Sequence, residues 1–347
     1  MSIEDTLSEL ADGAAAADGI AVWPEKSWDA LRRGGVLGWT VPPEYGGSGH
    51  GALQVLDGYR RLAGACLTTC FLLSQRDAAV RRIRDSGNAA LCRELLPPLA
   101  RGECFTTVGL SQLTTSRQHT RPAMTARLDG DRLLLDGVMP WVTGAARADH
   151  LVTGAALEDG RQVLVVVPRG TAGVTVDPPL QLAALEGSLT AEVRCENAAI
   201  DRRWLLAGPA EQLMSSGRTG GGLETSALAL GLAAAAGEYL RDESRRRPEW
   251  LGSAEACAES GAGLWERLLR LARDGASAAD AADVRAQANT LVLRATQLAL
   301  AAAKGAGFLR GHPAQRRARQ ALFFLVWSCP RPALEGTMAN LQPVCED

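Results

Sequence analysis

The chain has almost no net charge, few aromatics and no long apolar run. Its 37 Lys and Arg against 39 Asp and Glu leave a formal charge of −2, which gives no electrostatic case for nucleic acid or an anionic membrane as partner. No stretch of eighteen apolar residues occurs, so no segment reads as a membrane-spanning helix. The opening MSIEDTLSELADG is acidic and lacks the basic, apolar and cleavable parts of a signal peptide. A cytoplasmic location is therefore expected, with the eight cysteines as thiols. No CxxC pair and no histidine at ligand spacing from a cysteine occurs, so no metal site is expected. Aromatics make up only 5% of the chain, and alanine and leucine dominate it, a composition that leans helical.

Three zones separate by the period of their apolar residues. Residues 1–104 read as helical. SWDALRRGGVLG begins with a serine in capping position and ends on glycine. Apolar residues then recur at three and four from Leu53 to about Ile83, and ALCRELLPPLARGE reads as a short helix stopped by Pro97 and Pro98. Residues 105–208 change to period two. MTARLDGDRLLLDG holds two strands joined at Asp129-Gly130, HLVTGAAL and RQVLVVVP form another pair, and AGVTVDP and TAEVRCEN read as two more. Residues 209–347 return to helix, with HPAQRRARQALFFLVWS as the last long one, broken by Pro330 and Pro332. The expected class is α+β: an N-terminal α-helical domain, a middle antiparallel β domain and a C-terminal α-helical bundle.

Several loops in this order resemble one family. GVLGWTVPPEYGGSG, LLPPLARGE, GLSQLTTS, WVTGAARAD and AAAKGAGFLRGHPAQRRARQA are similar, at matching spacing, to segments of the acyl-CoA dehydrogenases. The resemblance covers about residues 28–337. It implies FAD held between the β domain and the C-terminal helices, with part of the site supplied by a second subunit of a homodimer or homotetramer. It also implies α,β-dehydrogenation of an acyl-CoA or acyl-carrier-protein substrate, with the electron acceptor unspecified. Two other readings stay open on the same fold: a flavin monooxygenase or oxidase, and a non-catalytic member that binds a thioester or a partner.

The resemblance places Leu110, Ser111 and Ser116 in the stretch that meets the flavin. Ser111 keeps the hydroxyl of the family's threonine, and Gln112 stands for its glutamate. A flavin ring needs an aromatic wall and hydrogen-bond donors near its edge. Trp141 and Thr143 suit both needs, because alternate strand positions face the same way. On the side that the resemblance gives to the second subunit, Arg247 stands nearest the family's pyrophosphate-binding arginine, and Gly305 and Gly307 survive from its glycine motif.

The carboxylate that would take the α-proton is ambiguous. Glu335-Gly336-Thr337 matches the triplet that carries the base in most members, but the count from Arg319 puts Ser328 at that place and Glu335 seven residues beyond. A minority of members carry the base on the first C-terminal helix. There Gly221 takes the position, and Glu224, the one carboxylate between Met214 and Gly237, stands a turn away. Glu335, Glu224 or neither is the base.

Overall fold

The computed structural model describes residues 1–114, 123–211, 213, 221–327 and 329–342. Helices α1 (Ile3–Gly19), α2 (Glu25–Arg33), α3 (Ala52–Ala65), α4 (Leu67–Arg84) and α5 (Ala89–Arg101) come first. Ser2 and Asp5 close a capping box at the start of α1, which satisfies two amide donors that the helix leaves open. The continuous helix expected from Leu53 onward is two helices, divided where Cys66 takes an extended conformation. Ser27 is not a cap: α2 begins at Glu25, and Ser27 lies inside it and buried.

Nor do the prolines stop α5, which runs through Pro97 and Pro98 to Gly102 at φ +70°. Their missing N–H groups would have bonded the carbonyls of Arg93 and Glu94. Both of those residues are exposed, so solvent can serve the carbonyls while Leu95, Leu96 and Leu99 stay buried.

One eight-stranded sheet follows, in the order β6-β7-β3-β2-β4-β5-β8, with β1 paired to β4. The strands are β1 (Thr106–Gly109), β2 (Met124–Asp129), β3 (Arg132–Val142), β4 (His150–Ala156), β5 (Gln162–Pro168), β6 (Val174–Val176), β7 (Ala191–Asp201) and β8 (Leu205–Ala210). The Asp129-Gly130 hairpin forms, with Asp129 opposite Arg132 and Gly130 at φ +57°. The sheet is mixed rather than wholly antiparallel. The chain enters β1 from α5 instead of through a hairpin, and β1 lies parallel to β4; one further parallel pair joins β2 to β4. A short helical turn, α6 (Ser111–Thr114), follows β1.

The last zone is a bundle of α7 (Gly221–Ser244), α8 (Leu251–Asp274), α9 (Ala278–Ala302), α10 (Pro313–Val326) and α11 (Arg331–Leu341). The helical run does break ahead of these prolines, α10 ending at Val326, and Pro332 then stands in the first turn of a new helix, α11, where no amide donor is needed. Helix α7 joins this bundle to the first zone by close backbone approach to α3. A Cβ on Gly231 would stand 2.1 Å from the Arg60 carbonyl oxygen, and one on Gly64 would stand 3.1 Å from the Gly231 carbonyl oxygen.

Gly231→Ala should therefore lower stability by about 2 kcal/mol through overpacking, despite alanine's better helix propensity. Gly263→Ala in α8, where a Cβ meets nothing within 4 Å, should be neutral or slightly stabilising. Urea unfolding of both variants checks the pair; equal effects would mean that α3 and α7 do not approach this closely.

Candidate functional site

The structure brings the named residues together in two groups and leaves the two carboxylates apart. In the first group, β1 delivers Leu110 and Ser111 to the end of β3. Gly109 lies so close to that strand that a Cβ would stand 2.7 Å from Met139 Sδ and 3.0 Å from Val142 Cγ2. Buried Gln112 fastens the turn: its Nε2 donates to the Gly109 carbonyl at 2.9 Å, to Thr153 Oγ1 at 3.0 Å and to the Gly154 carbonyl at 3.1 Å. Leu110 is buried and Ser111 half-buried. Ser116 lies outside the described residues.

Trp141 and Thr143 do not share one environment as simple alternation predicts. Trp141 is 42% exposed, whereas Thr143 is buried beside Thr190 and Ser188. Two features part them: Thr143 lies in the turn just past the end of β3, and the strand bulges before it. Met139 pairs with Val193 and Val142 with Ala191, so β3 carries an extra residue against β7 there. A bulge breaks the period of two and re-aims the side chains that follow. The Trp141 ring is left open to solvent at the sheet's end.

The second group lies in the C-terminal bundle. Arg247 is held by Glu243 at 2.5 Å and by the Ala302 carbonyl, the last residue of α9. Gly305 and Gly307 follow in the short 3-10 turn Lys304–Phe308. A Cβ on Gly307 would stand 2.6 Å from that of Ala303, so the tight turn needs glycine at that position; one on Gly305 would meet nothing. Arg247 Nη1 is buried and has no hydrogen-bond partner among the described residues, and the same is true of Gln112 Oε1. A buried N–H without an acceptor is costly, and a phosphate oxygen is the kind of group that would satisfy it. An open aromatic ring and an unsatisfied guanidinium beside a glycine turn fit the two ends of a flavin dinucleotide.

The carboxylates differ sharply. Glu335 sits on α11, 61% exposed, in an i, i+4 pair with Arg331 at 2.7 Å. Glu224 stands in the first turn of α7 with its side chain only 21% exposed, and Arg81 Nη2 of α4 lies 2.8 Å from its carboxylate. Burial raises the Glu224 pKa, Arg81 works against that rise, Asp77 adds to it, and Arg82 opposes it. Burial first, and then the neighbouring Arg81, push Arg82 down to about 10.

Behind this pair is a buried network that sequence reasoning missed. Tyr59 donates its hydroxyl to Asp77 at 2.8 Å; Arg76 donates to the other Asp77 oxygen at 2.6 Å and to the Leu99 carbonyl at 2.6 Å. The one sequence signal was an adjacent Arg76-Asp77 in the middle of α4.

Arg319 and Gln320, used above only to count towards the base, have a job of their own. The buried Asp18 carboxylate, at the end of α1, accepts from Arg319 at 2.6 Å, from Gln320 at 2.9 Å and from the Leu185 amide at 2.9 Å. Arg319 also donates to the Ala183 carbonyl at 2.6 Å. The junction joins α1, the loop before β7 and α10.

A helical layer, a mixed sheet and a helical bundle, with an open tryptophan at the sheet's end and a partly buried acid where α7 starts, define the arrangement that known proteins share. The family described as "Acyl-CoA dehydrogenase, N-terminal domain" matches residues 5–103. The chain is 26% identical over 236 residues to a probable acyl-CoA dehydrogenase, YngJ, of Bacillus subtilis, a match that covers 66% of this chain and about three-fifths (62%) of that protein's length. It is 22% identical to the short-chain specific acyl-CoA dehydrogenase of Clostridium acetobutylicum, over 90% of this chain and 88% of that one. The solved structure of butyryl-CoA dehydrogenase from Megasphaera elsdenii superposes with a TM-score of 0.84 at 19% identity, covering 98% of this chain and 97% of the other. The first hundred residues thus match the N-terminal domain of that family, and the whole chain shares the fold of its solved members.

Proposed function

We propose that this protein is an FAD-dependent dehydrogenase that removes the α-proton and a β-hydride from an acyl thioester carried by CoA or by an acyl-carrier protein. The observation that carries this reading is a carboxylate, Glu224, withdrawn from solvent at the start of α7 and gripped by an arginine from another helix. Desolvation raises the basicity of such a group, and a base must also be fixed in place to reach an α-carbon. Glu224 is the base in this reading. Glu335, exposed and paired only within its own helix turn, is a surface residue.

FAD would supply hydride acceptance. Trp141 would wall its ring, with Leu110, Ser111 and Thr143 around the ring's edge, Ser116 would serve a flavin phosphate or the substrate, and Arg247 with Gly305 and Gly307 would meet the pyrophosphate. The second set belongs to a neighbouring copy in this reading, which takes the protein as a homodimer or homotetramer. Phe308 and Val326, 85% and 79% exposed, lie on the same bundle together with exposed Leu309 and Leu322. An apolar face of this kind is what a second copy would cover. The reading keeps domains at 1–104, 105–208 and 209–347 and a cytoplasmic location; among the described residues no helix is long and apolar enough to cross a membrane.

The test is anaerobic mixing of the flavin-loaded protein with a panel of acyl-CoA and acyl-carrier-protein thioesters. Bleaching of the flavin absorbance by at least one of them is expected. A loaded protein that bleaches with none, and forms a hydroperoxide absorbance when reduced and exposed to O₂, would instead be an oxygen-activating enzyme.

A further inference from the structure

We propose that Arg81 is a positioning residue for this chemistry: it fixes the Glu224 carboxylate across the gap between α4 and α7 and supplies its counter-charge. The inference rests on the reading of Glu224 as the base, but its main test does not.

The geometry is specific. Arg81 Nη2 stands 2.8 Å from Glu224 Oε1 and within hydrogen-bond reach of Oε2, so both oxygens are held by one nitrogen and the carboxylate plane is constrained. The pair spans 143 residues of sequence and joins two helices, α4 and α7. Arg81 is itself set in place. Beside it lies Tyr59 of α3, whose hydroxyl is committed to Asp77, and Asp77 is tied through Arg76 to the last turn of α5. Three helices of the first zone thus determine where the guanidinium stands.

The charge balance gives this placement a purpose. Among the described residues, the ionisable groups facing Glu224 are Asp77, Arg81 and Arg82 of α4 and Tyr59 of α3. Burial and Asp77 favour the protonated acid; Arg81 is the largest opposing influence, with Arg82 behind it. Burial likewise works against the Arg81 cation, but Glu224, Tyr59 and Asp77 more than reverse that effect, so Arg81 stays charged at any working pH. A base buried without such a cation would hold its proton at neutral pH and be unable to take another. Charge neutralisation alone asks only for a nearby cation. A guanidinium centred on both oxygens also sets direction, and proton abstraction from a fixed α-carbon requires direction.

The experiment uses protein labelled at glutamate ¹³Cδ, free of cofactor, with the Glu224 resonance assigned by its loss in Glu224→Gln. In Arg81→Gln the Glu224 titration should move up by about one unit or more, the scale of losing an opposite charge at contact. Arg81→Lys, the milder variant should the glutamine not fold, should move it up by about half a unit as the charge retreats. In the flavin-loaded enzyme, the acid limb of turnover in Arg81→Gln should move up with it. That means about a tenfold loss per unit below the limb and recovery above it. A clamp that merely joins α4 to α7 would lower the rate alike at every pH and leave the acid limb of turnover in place. A Glu224 titration unmoved in either folded variant overturns the proposal. Turnover that survives in Glu224→Gln overturns the assignment of the base instead, and leaves the titration to decide the role of Arg81.

Discussion

Glu224→Gln should lower turnover of a bleaching substrate by roughly 10² to 10⁴ without loss of bound flavin, while Glu335→Gln should stay within about twofold of the parent. The amide is isosteric, so packing at the start of α7 is preserved, but it accepts no proton at any pH used. The Arg81 contact survives in part, because the amide oxygen still accepts a hydrogen bond. Glu335 has neither the burial nor the partner of a base: its carboxylate is in solvent and its one ion pair is to Arg331 in the same helix. Surface pairs of this kind contribute little, so the second variant should also melt where the parent does. Stopped-flow flavin reduction separates proton abstraction from product release. A Glu335→Gln enzyme that is dead and a Glu224→Gln enzyme that is active would reverse the assignment.

Asp18→Ala should cost about 3 kcal/mol of stability. The carboxylate is buried and accepts three hydrogen bonds from two other segments, α10 and the loop before β7. Its removal leaves the Leu185 amide and the Gln320 side chain buried with unmet donors, each costing on the order of 1–3 kcal/mol. Arg319 loses its counter-charge, but its half-open position lets water take part of the load. The measurement is the urea midpoint, read with the slope, because an unchanged slope shows that the native surface is intact. A loss below about 1 kcal/mol would mean that α1 is held by its apolar face alone.

Much of the architecture was legible because it rests on local rules. The Asp129-Gly130 turn, the Gln162–Pro168 strand opposite His150–Ala156 and the change of period near residue 105 each announce themselves within a dozen residues. Where reading failed, the deciding contact was distant or the local rule had an exception. Pro97 and Pro98 sit in a helix because the carbonyls they abandon belong to exposed residues, and exposure is a tertiary fact. Trp141 and Thr143 part company because β3 bulges against β7, fifty residues further along the chain, and ends before Thr143. The candidate site shows the same limit. Arg247 and the Gly305–Gly307 turn were found from their resemblance to family motifs, and the structure brings them to one place. Arg81 had no motif to mark it. Its importance lies in a contact with the first turn of α7, which nothing in its own sequence neighbourhood encodes.

The acid gripped by Arg81 also makes folding a proton-binding reaction. Glu224 holds its proton more firmly in the native state than at the ordinary value of 4.5 that applies to the unfolded chain. Between that value and the raised native one, the folded protein carries more of the proton, so folding draws it from solution. The sign follows: at this site the stabilisation is complete below the unfolded value and declines as pH rises through the native one. At this one group, the form of the site that can act as a base is therefore the one that adds less to stability.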